Sequence, residues 1–364
     1  MLKQFSSFSS KKMLIVVIVF AAILTLMTMD SKLVWAQEYN HIGSDGGAGV
    51  DSDNGGGNGY SPATDSKSWS SDQSFSGLVI NGGTGGKGGA GATSSTYSNP
   101  GGTGGTGQGV EDLNNPFAKF TILTGNAEII GGDGGSGGAA PTGSGKAKAG
   151  AGGLGGKALL SIATLIVNDG SLTVESGAKG ISVASGGEGG LGGKATINII
   201  GADAIGTEQD AGDGLIIVGT NASGTTLNVS AQSGEVLVSA KGGTINGAGA
   251  KGKISAGNMV LTSGLDSGAT LTVAAIGGNP NAATDAGSAE LIAKGQLNIN
   301  TREGNLAVTA NGGTAGTGGN GGDAIIQAGG TGQNSGIKVS VQGDANTILS
   351  ASATDGNGAG ISGS

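Results

Sequence analysis

Short runs in which apolar and polar residues alternate recur through the later two-thirds of the chain, each closed by glycine, asparagine or aspartate. In Leu227-Asn228-Val229-Ser230 the apolar residues are two apart, as they are at Val236 and Val238. Period-2 alternation puts Leu and Val on one face and Asn, Ser and Thr on the other, which predicts half-buried strands. The runs come in copies. Leu172-Thr173-Val174-Glu175 is followed by Ile181-Ser182-Val183-Ala184, a glycine tract, and Lys194-Ala195-Thr196-Ile197. The same order returns from Leu227 through Val236 to Lys253-Ile254-Ser255-Ala256, and again from Leu297 through Leu306 to Asp323-Ala324-Ile325-Ile326. A weaker copy starts at Phe120 and runs through Glu128 to Ala158–Ile162. Leu215–Val218 and Met259–Leu261 add strands of the same character.

No segment after Gln37 sustains an i, i+3, i+4, i+7 apolar spacing, so no helix is predicted there. The copies are unevenly spaced, 55 residues from Leu172 to Leu227 and 70 from Leu227 to Leu297. A parallel β-helix accommodates such variation, because an insertion leaves one turn while the strands above and below keep register. The expected fold is therefore all-β: an irregular parallel β-helix (β-solenoid) over residues 117–355. At about 20–30 residues per turn and about 4.8 Å between strands, it would have on the order of ten turns and a length of about 50 Å. Residues 37–116 read as a flexible Gly/Ser/Asp-rich linker and transitional segment, and residues 356–364 as a flexible tail.

Glycine makes up 81 of 364 residues, and aromatic residues 3%, so the interior must be thin and aliphatic. Much of the glycine lies in tracts with a GGxGG core: Gly82–Gly89, Gly152–Lys157, Gly189–Lys194 and Gly318–Asp323. Two readings fit them. They are either long loops leaving the solenoid, or polyproline-II-like strands packed through glycine as on the collagen axis. The loop reading is adopted here. Collagen itself is excluded by the broken Gly-X-Y period and by having five prolines.

The chain opens with Lys3, Lys11 and Lys12, an apolar run from Met13 to Met29, and Val34-Trp35-Ala36. That order is a basic region, an apolar region and a small-residue cleavage site, so residues 1–36 read as a signal peptide and the mature protein as secreted, extracellular or on the outer cell surface. An uncleaved segment would be the chain's one contact with a membrane. Removing residues 1–36 takes away four lysines and Asp30, and the net charge goes from −8 to −11. An acidic chain with one arginine has no footprint for nucleic acid. There is no cysteine, which excludes disulfides and thiolate metal sites.

The Leu-x-Val runs, the Gly-x-Leu-x-Val-x-Ala pattern and the Asn/Asp-Gly punctuation resemble those of bacterial β-solenoid surface proteins, namely autotransporter passenger regions and filamentous-haemagglutinin-like exoproteins. The resemblance covers about residues 117–355 and implies an adhesin or surface antigen. The last ten residues, Asp355–Ser364, lack the amphipathic strands and terminal aromatic of a translocator barrel. The GGxGG tracts also look like the glycine-rich domains of mycobacterial surface proteins, without their N-terminal helical module.

Sites are few. Gly318–Ile326 matches one calcium-binding nonapeptide of the RTX type, but the equivalents of Asp323 in sister tracts are Lys157 and Lys194, so an ordinary turn is the reading preferred and no metal site is assigned. Asp51–Gly56 echoes an EF-hand loop with Pro62 at the position of the bidentate glutamate, and reads as solvated chain. GxGxxG-like strings open no predicted helix and carry no phosphate site. His41 is the single histidine and lies in the expected linker, and Asp169, Glu175, Asp203 and Asp266 are scattered among turns. Trp69 and Tyr60 read as incidental, and Asn221 and Asn228 match glycosylation sequons that arise easily by chance. No catalytic residue and no cofactor are assigned. The expected function is a non-enzymatic adhesin or stalk, with host-cell or matrix molecules, or further copies of itself, as partners. The alternatives are a polysaccharide-active β-helix enzyme and a self-assembling fibre protein.

Overall fold

The computed structural model describes residues 37–356 except 51–56, 91–101, 115–118, 140–149, 182–187, 189, 191–192, 201–202, 205–213, 220–224, 233, 246–247, 264–268, 281–283, 316–318, 330–335 and 342–348. The expected signal peptide lies outside the described residues, as does the expected tail beyond Gly356. Residues Glu38–Ser364 form one contact unit.

Twenty-three of the strands build three parallel sheets, and each sheet takes roughly every third strand. The first sheet has the order β1 (Tyr39–Ile42), β4 (Leu78–Asn81), β7 (Ala127–Ile130), β10 (Leu172–Glu175), β14 (Thr226–Ala231), β19 (Asn258–Ser263), β22 (Gln296–Thr301), β25 (Gly336–Val341). The second runs β2 (Asp65–Trp69), β5 (Val110–Asn114), β8 (Ala158–Ile162), β11 (Ala195–Ile200), β15 (Glu235–Lys241), β20 (Thr270–Ile276), β23 (Asn305–Asn311), β26 (Leu349–Thr354). The third runs β3 (Gln73–Phe75), β6 (Lys119–Ile122), β9 (Thr164–Val167), β13 (Gly214–Val218), β18 (Gly252–Ala256), β21 (Ala289–Ala293), β24 (Ala324–Ala328). A side sheet holds β12 (Asp203–Ala204), β16 (Thr244–Ile245) and β17 (Ala248–Gly249). This is the winding of a parallel β-helix, all-β and without helix among the described residues. Eight strands at about 4.8 Å make the first sheet roughly 34 Å deep.

Register explains why the alternation matters. Leu78, Ala127, Leu172, Leu227, Met259 and Leu297 pair directly, turn on turn, and all are fully buried. Two residues along, Ile80, Ile129, Val174, Val229, Leu261 and Ile299 form a second column. A one-residue slip would turn both columns outward, so burial of one face pins every pairing.

Three expectations need correcting. Residues 37–116 are not a linker. They supply β1 to β5, the whole first turn and two strands of the second. The inward side chains of that first turn are polar or aromatic, and so the apolar signal of a strand is missing there. The turns are also longer than expected. Hydrogen bonds from one turn to the next span 45 residues at Thr103–Asn58, Ser171–Asn126 and Ala178–Asp133, and 35 at Thr314–Asn279. The difference is the glycine tract, which belongs to each turn.

Those tracts are not free loops. Gly82, Gly85 and Gly88 donate to Ile130, Asp133 and Ser136 at 2.7–2.9 Å, a three-residue period. Gly83, Gly86 and Gly89 donate to Gln108, Gly105 and Gly102, on the returning part of the same turn. Three residues per turn with hydrogen bonds only to neighbours is the polyproline-II geometry. Outgoing and returning tracts alternate in one ladder: Gly180 donates to Gly190, Gly190 to Gly135, Gly135 to Gly153, Gly153 to Gly86, Gly86 to Gly105 and Gly105 to Gly47, at 2.6–2.8 Å. A second ladder, from Gly356 through Gly322, Gly313, Gly287, Gly278 and Ala250 to Gly243, serves the later turns at 2.8–2.9 Å. The reason for glycine is contact. A Cβ on Gly153 would stand 1.9 Å from the Gly105 carbonyl oxygen, and one on Gly86 2.0 Å from that of Gly47.

Between the glycines of several tracts, and at the start of β24, a backbone N–H finds a side chain of a neighbouring turn. Asp45 accepts from Thr84, Asp133 from Ala178, Asp285 from Asn320 and Asp355 from Ala324, all at 2.8–2.9 Å.

Gly153→Ala is expected to lower the stability of residues 37–364 by about 1–3 kcal/mol or more, as overpacking does. Gly57→Ala, whose Cβ would meet Val50 at an ordinary 3.6 Å, is the matched control. Urea unfolding followed by circular dichroism checks the pair; equal midpoints would contradict the packed-tract reading.

Candidate functional site

The inward columns end, at the N-terminal turn, in residues that do not belong in an aliphatic interior. Tyr39 and His41 stand above Leu78 and Ile80, and Asp65 stands above Val110. Lys67 pairs with Asp112, which in turn lies over Leu160. Trp69 closes the end of β2 and Phe75 the end of β3. The pleat thus brings together seven side chains that span 73 residues of sequence.

Asp112 is the centre. Its side chain is fully buried, and its Oδ1 accepts from the Tyr39 hydroxyl at 2.7 Å and from Trp69 Nε1 at 3.0 Å. Its Oδ2 lies 3.2 Å from His41 Nδ1. The other imidazole nitrogen, Nε2, lies 3.2 Å from Oδ2 of Asp65, whose side chain is 60% exposed. The imidazole thus links the buried carboxylate to the exposed one. Burial, and then the hydrogen bond to Asp112, push the Tyr39 hydroxyl well above the usual phenol range, so it stays a donor.

Aromatic rings seal the underside. Tyr39 stacks on Phe75 at 5.2 Å, and Trp69 meets Tyr39, Phe75 and Phe120 edge-on at 5.2–5.8 Å. Lys67 Nζ sits 4.1 Å over the Trp69 ring and 4.5 Å over that of Tyr39. Edge-to-face rings and a cation over an indole each add to the area they bury. Both oxygens of Asp112 are engaged. The arrangement is that of a cap.

Of the residues singled out in sequence, His41 and Trp69 are in this cap, and Tyr60 is exposed away from it. His41 is 71 residues from Asp112 and 24 from Asp65, separations that no local motif records. The available signal is the two-residue spacing of Tyr39/His41, Asp65/Lys67/Trp69 and Val110/Asp112, which is strand alternation carried by polar side chains. Asp169 is exposed, and Glu175 accepts a hydrogen bond from Gln232. Burial, and then the neighbouring Asp133, push the Glu175 carboxyl up. Asp51, Asn221 and Asp266 lie outside the described residues, and Asn228 is half-buried in β14.

Asp323 is exposed and lines an open furrow of about 470 Å³ between successive tracts, with Lys251, Asp285, Ser288 and Asn320. Among the described residues no three acidic or histidine side chains are placed to hold a metal ion. Beside the furrow, Glu290 takes Lys251 at 2.7 Å and Lys253 at 2.9 Å. Burial works to raise the Glu290 carboxyl, but the hydrogen bonds from Lys251 and Lys253 outweigh it and hold the group below the usual carboxylate range.

Asp112→Ala would take the acceptor from the half-buried Tyr39 hydroxyl and Trp69 Nε1 and is expected to cost about 1–3 kcal/mol. Trp69 is the single tryptophan of residues 37–364, so its emission reports the cap directly and should shift to the red. An unchanged midpoint and spectrum would contradict the cap. Because the folded Glu290 carboxyl is depressed, its contribution is present above pH 4.5, its ordinary value, and is lost as the pH falls through the depressed one. Glu290→Gln should therefore lower the urea midpoint at pH 7, with the gap to wild type closing as the pH falls below 4.5. A gap independent of pH would count against the ion pair. No family model matches the chain, no curated protein matches it, and no solved structure does.

Proposed function

We propose that the protein is an exported, non-enzymatic stalk or adhesive module that works through the outer faces of its β-helix. The supporting observation is the registered stacking of outward side chains. Asn228, Val260, Asn298 and Lys338 pair turn by turn on the first sheet, and Thr196, Leu237 and Thr272 on the second. Repeats about 4.8 Å apart on a rigid scaffold suit an extended binding surface, as in other quasi-one-dimensional proteins. Export rests on the lysines and apolar run of residues 1–36, and the kinship with bacterial β-solenoid surface proteins on the strand motifs.

The polysaccharide-active alternative needs two accessible, close carboxylates. Against it stand Asp112, which is sealed and saturated, and the use of Asp45, Asp133, Asp285 and Asp355 as acceptors for backbone N–H groups.

Purified residues 37–364 are expected to bind host-cell or matrix surfaces. Thr196→Glu with Thr272→Glu should weaken that binding at least about tenfold, with an unaltered circular dichroism melt. Absence of binding to any such surface would reduce the role to a spacer. Release of reducing ends from glycans would replace the proposal with the enzymatic one.

A further inference from the structure

The two ends of the β-helix differ in chemistry. The N-terminal turn carries the cap, where the inward positions are Asp65, Lys67, His41 and Tyr39. At the other end β24, β25 and β26 each have a strand neighbour on one side only among the described residues. Inward positions there are aliphatic and open: Ile337 and Val339, which stack on buried Leu297 and Ile299, are 51% and 55% exposed. Ala351 and Ala353 are exposed as well, and Ile326 and Ala328 are half-exposed. Equivalent residues one turn below are fully buried.

We infer that this end docks a second copy of the same chain, tail to tail, to give a closed two-fold dimer. Three observations choose that occupant. An unpaired parallel edge with an apolar face seeks a further strand. A two-fold axis through β25 sets all three edges antiparallel to their counterparts, with β25 on β25 and β24 on β26, so no edge is left over. The end is also compatible with itself in charge. The three strands read AIIQA, GIKVSV and LSASAT, with Lys338 as the one charged residue, and a register centred on Val339 sets Lys338 against the partner's Ser340 instead of its own counterpart. The N-terminal end is the wrong partner. Docked there with the sheets aligned, Ile337 and Val339 would face Tyr39 and His41, and β26, with Ala351 and Ala353, would lie on β2, with Asp65 and Lys67, stripping water from charges for no apolar return. Assembly accordingly stops at two and does not run on into fibres. This stands apart from the adhesive reading, since it concerns the end of the β-helix and not its sides.

The test uses residues 37–364 with sedimentation equilibrium over a concentration series. A monomer–dimer equilibrium with nothing larger is expected, and Val339→Asp should weaken it at least about tenfold. Because the chain has no cysteine, Val339→Cys supplies a variant that leaves the face apolar. It should form a disulfide-linked dimer under mild oxidation, whereas Asn40→Cys on the outer face of β1 should not. A strictly monomeric profile, larger assemblies, or equal cross-linking through Asn40→Cys would each overturn the inference.

Discussion

Backbone meeting backbone, with no side chain between, is the constraint on which the rest of this architecture depends. Where Gly105, Gly86, Gly153 and Gly135 cross, each N–H reaches the next carbonyl at 2.6–2.8 Å, and a Cβ would fall inside van der Waals contact. A polyproline-II strand satisfies none of its own hydrogen bonds, so it is stable in a packed interior only when neighbours on two sides accept and donate. The alternation of outgoing and returning tracts provides those neighbours. Their spacing is set by the β-helix, whose stacked turns deliver a new tract at each level. The two parts are therefore interdependent: aliphatic columns fix the rise, and glycine tracts use it.

This also accounts for how much of the fold could be read from the chain. Leu227/Val229, Leu297/Ile299 and their relatives announce strands because alternation is local, and a slip by one residue would expose them. The tracts were harder. Their three-residue period is visible in GGxGG, but the partner of Gly86 is Gly105 on one side and Gly153 on the other, and nothing within the tract states that such partners exist. A free loop and a packed strand have the same composition. The difference lies 19 and 67 residues away.

The first turn is silent in the sequence for another reason. Its inward positions include Asp65, Lys67 and His41, which break the rule that inward means apolar, so residues 37–116 resemble solvated chain. They are polar because they end the column instead of continuing it. Asp112 illustrates the cost and its remedy. A buried carboxylate is tolerable only when each lone pair is used, and here Tyr39, Trp69 and His41 use them while Lys67 lies over the adjoining rings.

Such a cap does more than cover the aliphatic column. Parallel sheets have edges at both ends, and an apolar edge recruits strands without regard to whose they are. Placing fixed charges at inward positions makes the N-terminal edge a poor template, because any incoming strand would have to desolvate Asp65 and Lys67. The opposite edge, with Ile337 and Val339 open, bears no such penalty. Polarity of this kind is invisible in overall composition or net charge. It follows from where a few charged residues fall in a two-residue alternation, and it decides which end of the molecule can grow.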